Sequence, residues 1–338
     1  MAAPLNVGIA YNAFEPAVPV NERRSEEAVG EVAVEVDKTL RAAGFNATIF
    51  PLRRSVFSFM RRVKSRNVDI LINLCEAFYG KPEWEANVAA VFEMLGIPFT
   101  GSGFRTLALC QDKARAKAVL QAHGLPVAPS RLVGSPDEPV DLPFPLFVKP
   151  NMEDASLGIY PESVVRDAES LKLQVKRIVE TYRQPAIVES YIDGREFNVA
   201  VLDNGRVHAL PVSEIDFSGM PEDTPNICSY TAKWFVEDPL CINTVPVCPA
   251  TIDAELDARL RETAVAAFKA MDCLDYARID FRMDGEGRIY VLEVNPNPDT
   301  SLDAGYVRAL GAAGISYTEF WTGVIENALK RKTHDPST

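Results

Sequence analysis

The chain has 338 residues, 47% hydrophobic and 24% charged, an ordinary balance for folded globular units and enough length for two or three of them. Its formal net charge of -12, with no basic stripe, excludes a general nucleic-acid binder, which needs a positive footprint. Six dispersed cysteines without a C-x-x-C pair, and only three histidines (His123, His208, His334), argue against a disulfide framework, a zinc site, a triad hydrolase or a histidine-ligated metal.

The first ten residues form a strand-like run without a positively charged leader. Neither a signal peptide nor a membrane span is expected, and the thiols suit a cytoplasmic protein. Strand patterns at 7–10, 47–50 and 68–74 alternate with helical patterns at 26–43, 56–64 and 85–95, with Gly44 and Gly96 as helix stops. Such alternation predicts an α/β unit with a parallel sheet over residues 1–101. Ligands of these sheets sit at the carboxyl ends of the strands, which singles out Asn12, Asn73 and Glu76.

Gly101-Ser102-Gly103 opens the next segment but lacks the G-x-G-x-x-G spacing, so no dinucleotide is expected there. A helix follows over 112–121, then a proline-rich connection over 126–145, and an apolar strand over 146–150 that ends in Lys149-Pro150. The loop 151–158 leads to a helix over 168–182, a strand over 186–191 and a period-two run over 195–202. Lys149 and Glu189 each stand in or beside an apolar strand, where an unpaired charge is costly. Residues 213–250, rich in proline and acidic groups, predict a long ordered loop over a site. Helices are expected over 253–271, with Thr251 as N-cap, over 304–313 and over 317–329.

The most informative stretch is a hairpin pattern over 277–294 around Asp284-Gly285-Glu286-Gly287. A turn centred on Gly285 and Glu286 places Arg278 opposite Glu293, with Asp280 diagonal to Glu293 on the same face. Ile279, Phe281, Met283, Tyr290, Leu292 and Val294 then form the core face. Asn295-Pro296-Asn297-Pro298 ends the strand rigidly. One face then presents two carboxylates and an arginine, with Asn295 following where the strand ends, and such a set suits a hard divalent cation beside a transferring phosphoryl group. A solvated charged face is the plain alternative.

Several segments taken in order resemble the ATP-grasp ligases, and within them the D-alanine–D-alanine ligase group. They are Gly101-Ser102-Gly103, Gln111-Asp112-Lys113, Leu146-Phe147-Val148-Lys149-Pro150, Val188-Glu189 with Gly194-Arg195-Glu196-Phe197, Ala277-Arg278-Ile279-Asp280 and Leu292-Glu293-Val294-Asn295-Pro296. The resemblance implies three subdomains, with a central one over 102–187 and a C-terminal one over 188–332 after the parallel-sheet domain. It implies ATP between the last two, with Lys113 and Lys149 on its phosphates. Glu153 and Ser156 would belong to the loop over the phosphates, Ser156 acting with Lys149 and Arg278 as a catalytic group, and Glu189, Ser190, Tyr191 and Ile192 would belong to the adenine-side hinge. Glu196 would bind the ribose, and Lys233 would reach the nucleotide from the long loop. Asp280, Glu293 and Asn295 would hold Mg2+ or Mn2+, and Arg278 would steady the transferring phosphoryl. The implied reaction joins a carboxylate to an amine through an acyl phosphate, on small amino-acid-like substrates. Relatives are often homodimers, which the residues leave open.

Departures from the family pattern gather on the substrate side. Ala10-Tyr11-Asn12-Ala13 replaces paired glycines, and Asn73-Leu74-Cys75-Glu76 replaces a histidine-glycine motif. Asp154-Ala155-Ser156 replaces a glycine-serine-serine run, Trp234 follows Lys233 where a tyrosine is common, and Ala304-Gly305 replaces a serine-leucine pair that usually meets the acceptor's carboxylate. Three readings follow: a ligase of altered specificity, a D-alanine–D-alanine ligase, or an ATP-binding module without activity.

Overall fold

The computed structural model describes residues 4–13 and 23–332, so His334 lies outside the described residues. Strand β1 (Asn6–Asn12) sits between β2 (Asn46–Leu52) and β3 (Ile70–Asn73), and both pair with it in parallel. Helices α1 (Arg23–Ala42), α2 (Val56–Ser65) and α3 (Glu85–Leu95) cover this sheet. Its strands are near-continuous apolar runs because both faces are buried. Phe50 and Leu71 pack on Phe59, Val63 and Phe92 on one side. On the other, Val7, Ile9 and Ile72 share a core with Leu40, Trp321 and Val324.

The glycine-rich segment at 101–103 is a clamp. Gly101 N donates to Asp275 Oδ2 at 2.7 Å and Leu274 N donates to Ser102 Oγ at 3.1 Å, while Gly101 takes φ +81°. Two helices follow: α4 (Phe104–Gln111), which the sequence pattern did not predict, and α5 (Lys113–Ala122). Asp112 separates them with extended backbone and caps α5 by accepting from Arg115 N.

The central sheet is antiparallel, in the order β4 (Ser130–Val133), β7 (Ala186–Ser190), β5 (Leu146–Pro150), β6 (Val164–Val165). Helix α6 (Ala168–Tyr182) buries Val175 and Ile178 against it. The C-terminal sheet contains β8 (Gly194–Asp203), β9 (Val207–Ala209), β10 (Ser213–Asp216), β11 (Val245–Val247), β12 (Tyr276–Asp284) and β13 (Ile289–Asn295). Its order is β11-β10-β8-β12-β13, with β9 paired to β8. The long segment after 213 therefore contributes two strands, and also α7 (Tyr230–Trp234) and α8 (Pro239–Ile242). Helix α9 (Ala254–Ala270) lays Leu260, Ala264 and Phe268 on the back of the sheet. Its N-cap is Asp253, whose side chain accepts from Leu256 N, and not Thr251. Helices α10 (Gly305–Ala312) and α11 (Tyr317–Lys332) close the chain.

The hairpin of β12 and β13 forms in a register different from the expected one. Gly287 takes φ +79° and Asp284 N donates to the Arg288 carbonyl, so the turn is one residue longer than expected. Met283 then faces Ile289, and Phe281 faces Val291. A second irregularity beside Asp280 leaves Leu292 unpaired and sets Asp280 directly against Glu293 and Arg278 against Asn295. Each one-residue slip flips a strand's faces. Between the two slips Ile289 and Val291 enter the core in place of Tyr290 and Leu292; beyond the second, Val294 points inward and Glu293 and Asn295 share the face of Asp280.

Candidate active site

A cleft of about 880 Å³ lies where the three sheets meet. Of the expected site residues, Lys149, Glu153, Ser156, Glu189, Ser190, Tyr191, Ile192, Glu196, Lys233, Arg278, Asp280, Glu293 and Asn295 all line it. Lys113 does not. Its buried ammonium sits behind the wall, on the Glu153 carbonyl at 2.5 Å and Asp154 Oδ1 at 3.1 Å, and 3.8 Å from Glu293 Oε2. Asn12 and Glu76 also line the cleft at the ends of the first sheet. Asn73 does not, because its side chain turns back to accept from Cys75 N at 3.1 Å.

At one end the hairpin face carries a bonded cluster. Arg278 grips Asp280 with Nε and Nη2 at 2.8 and 2.9 Å. Asn295 Nδ2 donates to Asp280 Oδ2 at 3.0 Å and to Glu293 Oε1 at 3.3 Å, and Asn198 Nδ2 donates to Asp280 Oδ1 at 2.8 Å. Burial opposes the ionisation of Glu293, yet Lys113, Lys149 and Arg278 together hold its carboxyl down to about 2. Burial also works against the Arg278 charge, and Asp280 and Glu293 raise its pKa above the ordinary value. The donors fit a hard cation: two carboxylates side by side and an amide whose oxygen can turn toward them. Among the described residues no group of three or more His, Cys, Asp or Glu gathers, so the third protein ligand there would be the Asn295 amide.

At the other end Glu189 lies between two buried lysines, with Lys117 Nζ at 3.0 Å and Lys149 Nζ at 3.3 Å. Burial alone would raise Glu189, but the two ammonium groups hold it below the usual carboxylate range. Burial lowers Lys117, and Lys149 adds to that effect against the pull of Glu189. Glu196 pairs with Arg282 at 2.8 Å, and burial together with Asp280 and Glu293 still raises its pKa. Lys117 and Arg282 were not singled out from sequence. Lys117 is one helical turn beyond Lys113, and Arg282 is two residues beyond Asp280, so each lies on a face already marked.

A family model described as "D-ala D-ala ligase C-terminus" matches residues 120–326. The chain belongs to the D-alanine–D-alanine ligase family. It is 30% identical over 294 residues to D-alanine–D-alanine ligase B of Chromobacterium violaceum, covering 85% of this chain and 88% of that one. It is also 33% identical over 308 residues to the uncharacterized protein y4sG of Sinorhizobium fredii, covering 89% and 88%. The D-alanine–D-alanine ligase of Bacillus anthracis complexed with ATP superposes with a TM-score of 0.76, over 97% of this chain and 99% of that one, at 21% identity. The fold is the ATP-grasp fold, with a parallel-sheet N-terminal domain.

In this family member the loop after β5 is tied to the segment above it. Trp234 Nε1 donates to the Ala155 carbonyl at 3.1 Å, and Ser156 Oγ donates to the Cys228 carbonyl at 2.9 Å. Ala155 and Ser156 both adopt left-handed backbone, φ +53° and +62°, an unusual conformation for residues with a side chain. Below them, Glu76 and Glu85 face the cleft. Burial pushes Glu76 up to about 8, with Asp299 and Asp154 adding repulsion against Lys233. Burial likewise pushes Glu85 up to about 8, although Asn297 Nδ2 donates to it at 2.9 Å. Glu85 was missed because the first turn of α3 reads as an ordinary acidic helix start. Among the described residues no helix is long and apolar enough to cross a membrane.

Proposed function

We propose that the chain is an ATP-dependent ligase that joins the carboxylate of one small amino-acid-like substrate to the amine of another, and that this pair is not two D-alanines. A carboxylate resists amine attack because oxide is a very poor leaving group. Phosphorylation by ATP gives an acyl phosphate; the amine then attacks its carbonyl carbon and phosphate leaves, with amide and ADP as the other products. This chemistry asks for positioning and charge neutralisation more than a covalent enzyme group. The observation that carries the reading is the polar lining of one cleft, which holds Glu189 and Lys149, with Lys117 buried behind them, together with Glu293, Asn295, Asp280 and Arg278.

In this reading Lys149 steadies the phosphates, and Lys113 shifts its ammonium from Asp154 toward them on nucleotide binding. Glu189 to Ile192 border the adenine, Glu196 takes the ribose, and Glu153, Ser156 and Lys233 close over the phosphates. Arg278 neutralises charge on the transferring phosphoryl and on the tetrahedral carbon that follows. Asp280, Glu293 and Asn295 would hold Mg2+ or Mn2+, which would supply charge neutralisation beside the phosphates. The altered substrate pair is supported by Glu76, Asp154, Ala155, Trp234, Ala304 and Gly305, family departures that all line the same cleft. A site built to hydrogen-bond its substrate discriminates strongly against a mismatched one, so these changes carry weight.

The test is phosphate release with ATP, Mg2+ and a panel of D- and L-amino acids alone and in pairs, with product masses. The expected result is release with a pair other than D-alanine with itself. Best turnover with D-alanine alone would make the chain a D-alanine–D-alanine ligase. ATP binding without amino-acid-dependent release would make it a binding module.

A further inference from the structure

Three cations of the cleft have no role in the ligase scheme: Lys81 lies 3.8 Å from Glu83, Arg282 pairs with Glu196, and the third is Arg308. Arg308 lines the substrate end, one turn after Ala304 on α10. Its Nη1 donates to the Asp303 carbonyl, which folds the side chain back over the start of the helix. Its Nη2 lies 3.7 Å from where a Cβ on Gly305 would stand, so the guanidinium occupies space that a larger residue would fill. Its Nε is shielded from solvent and has no hydrogen-bond partner. Among the described residues no carboxylate pairs with it, although the cleft is rich in acids. A partly buried guanidinium with spare donors facing a cavity is matched by an anion.

The neighbouring residues indicate which anion. The family's serine-leucine pair is Ala304-Gly305 here, so a hydroxyl is lost and a branched side chain is removed. The N-cap Ala304 gives α10 no side-chain cap, so the first N–H groups of the helix lack a side-chain acceptor. Gly305 in turn admits the guanidinium to the region that the missing pair would have filled.

Resting on the ligase reading, we propose that Arg308 is the specificity-determining residue for the acceptor: its guanidinium binds the acceptor's carboxylate in place of the missing serine hydroxyl. A guanidinium holds a planar carboxylate through two parallel N–H donors, which a hydroxyl cannot do. The acceptor is then an amine that carries a free carboxylate, and the absent leucine side chain leaves room for a larger one than D-alanine.

The experiment takes the amine that gives the most phosphate release in the panel and compares it as free acid and as carboxamide. The wild type should prefer the acid by about 10- to 100-fold in acceptor KM. Arg308→Met should bring the ratio to within about threefold, leave the KM for ATP unchanged and spare kcat at saturating acceptor. Arg308→Lys keeps the charge, serves as the folding control and should retain part of the preference. Wild-type release with an unchanged acid-to-amide ratio in Arg308→Met overturns the proposal and leaves the ligase reading intact. No release with any panel member overturns both.

Discussion

Glu189→Gln tests the most heavily buried charges of the cleft. Glu189 is 2% exposed, with Lys117 Nζ at 3.0 Å and Lys149 Nζ at 3.3 Å. At an effective dielectric of ~20 each contact represents roughly 5 kcal/mol of attraction. The amide removes both attractions and leaves two ammonium groups buried together. The variant's escape is to release one proton, which at pH 7 costs roughly 4.6 kcal/mol for a lysine of ordinary unfolded pKa. A net loss of about 3–5 kcal/mol is expected, as when other buried pairs lose one partner. That lowers the thermal midpoint by on the order of 5–10 °C. The sign with pH follows from proton counting. The unfolded variant keeps that lysine protonated while the folded one does not, so the variant regains stability as pH rises. The gap to wild type should narrow by roughly 2–3 kcal/mol between pH 7 and pH 9. Thermal unfolding of both proteins at the two pH values measures this. Equal midpoints at pH 7, or a deficit that does not shrink at pH 9, would refute the buried triad.

Glu293→Gln is nearly isosteric, so the fold should survive while amino-acid-dependent phosphate release falls by orders of magnitude; near-normal release would remove Glu293 from the site. Lys149→Ala should weaken ATP binding by tenfold or more, read by calorimetry, and unchanged affinity would remove Lys149 from the nucleotide. Burial holds Glu76 and Glu85 near a pKa of about 8, against an ordinary 4.5. Both bind protons in the folded chain that the unfolded chain has released, so their contribution is full below about pH 4.5 and is lost as pH rises to about 8. Wild-type midpoints should therefore fall across that window, and Glu85→Gln should fall less; identical slopes would place the Glu85 carboxyl in water.

The parts of the site that sequence shows are those set by local alternation. Arg278 and Asp280 share a face because side chains alternate along a strand, and Glu293 and Asn295 are two apart for the same reason. Their pairing was misplaced because two single-residue slips, at Gly287 and beside Leu292, leave almost no compositional trace. The start of α5 was legible from Asp112 and Lys113, whereas α4 was not: Phe104, Leu107 and Ala108 stand at helical spacing, but eight residues are too short a window to separate a helix from the loop before it. Lys149 and Glu189 were marked as anomalies in apolar strands, and the pairing with Lys117 is what resolves them. The bonds from Trp234 and Ser156 join segments more than seventy residues apart, and no local pattern announces such contacts.

The ligase mechanism is tested most directly by following one oxygen atom. The donor acid that supports turnover is labelled with 18O in its carboxylate, and the phosphate released is weighed. An acyl phosphate transfers one labelled oxygen to each phosphate. Phosphate released at the full rate without label would contradict the acyl-phosphate route and, with it, the roles given to Arg278, Asp280 and Glu293.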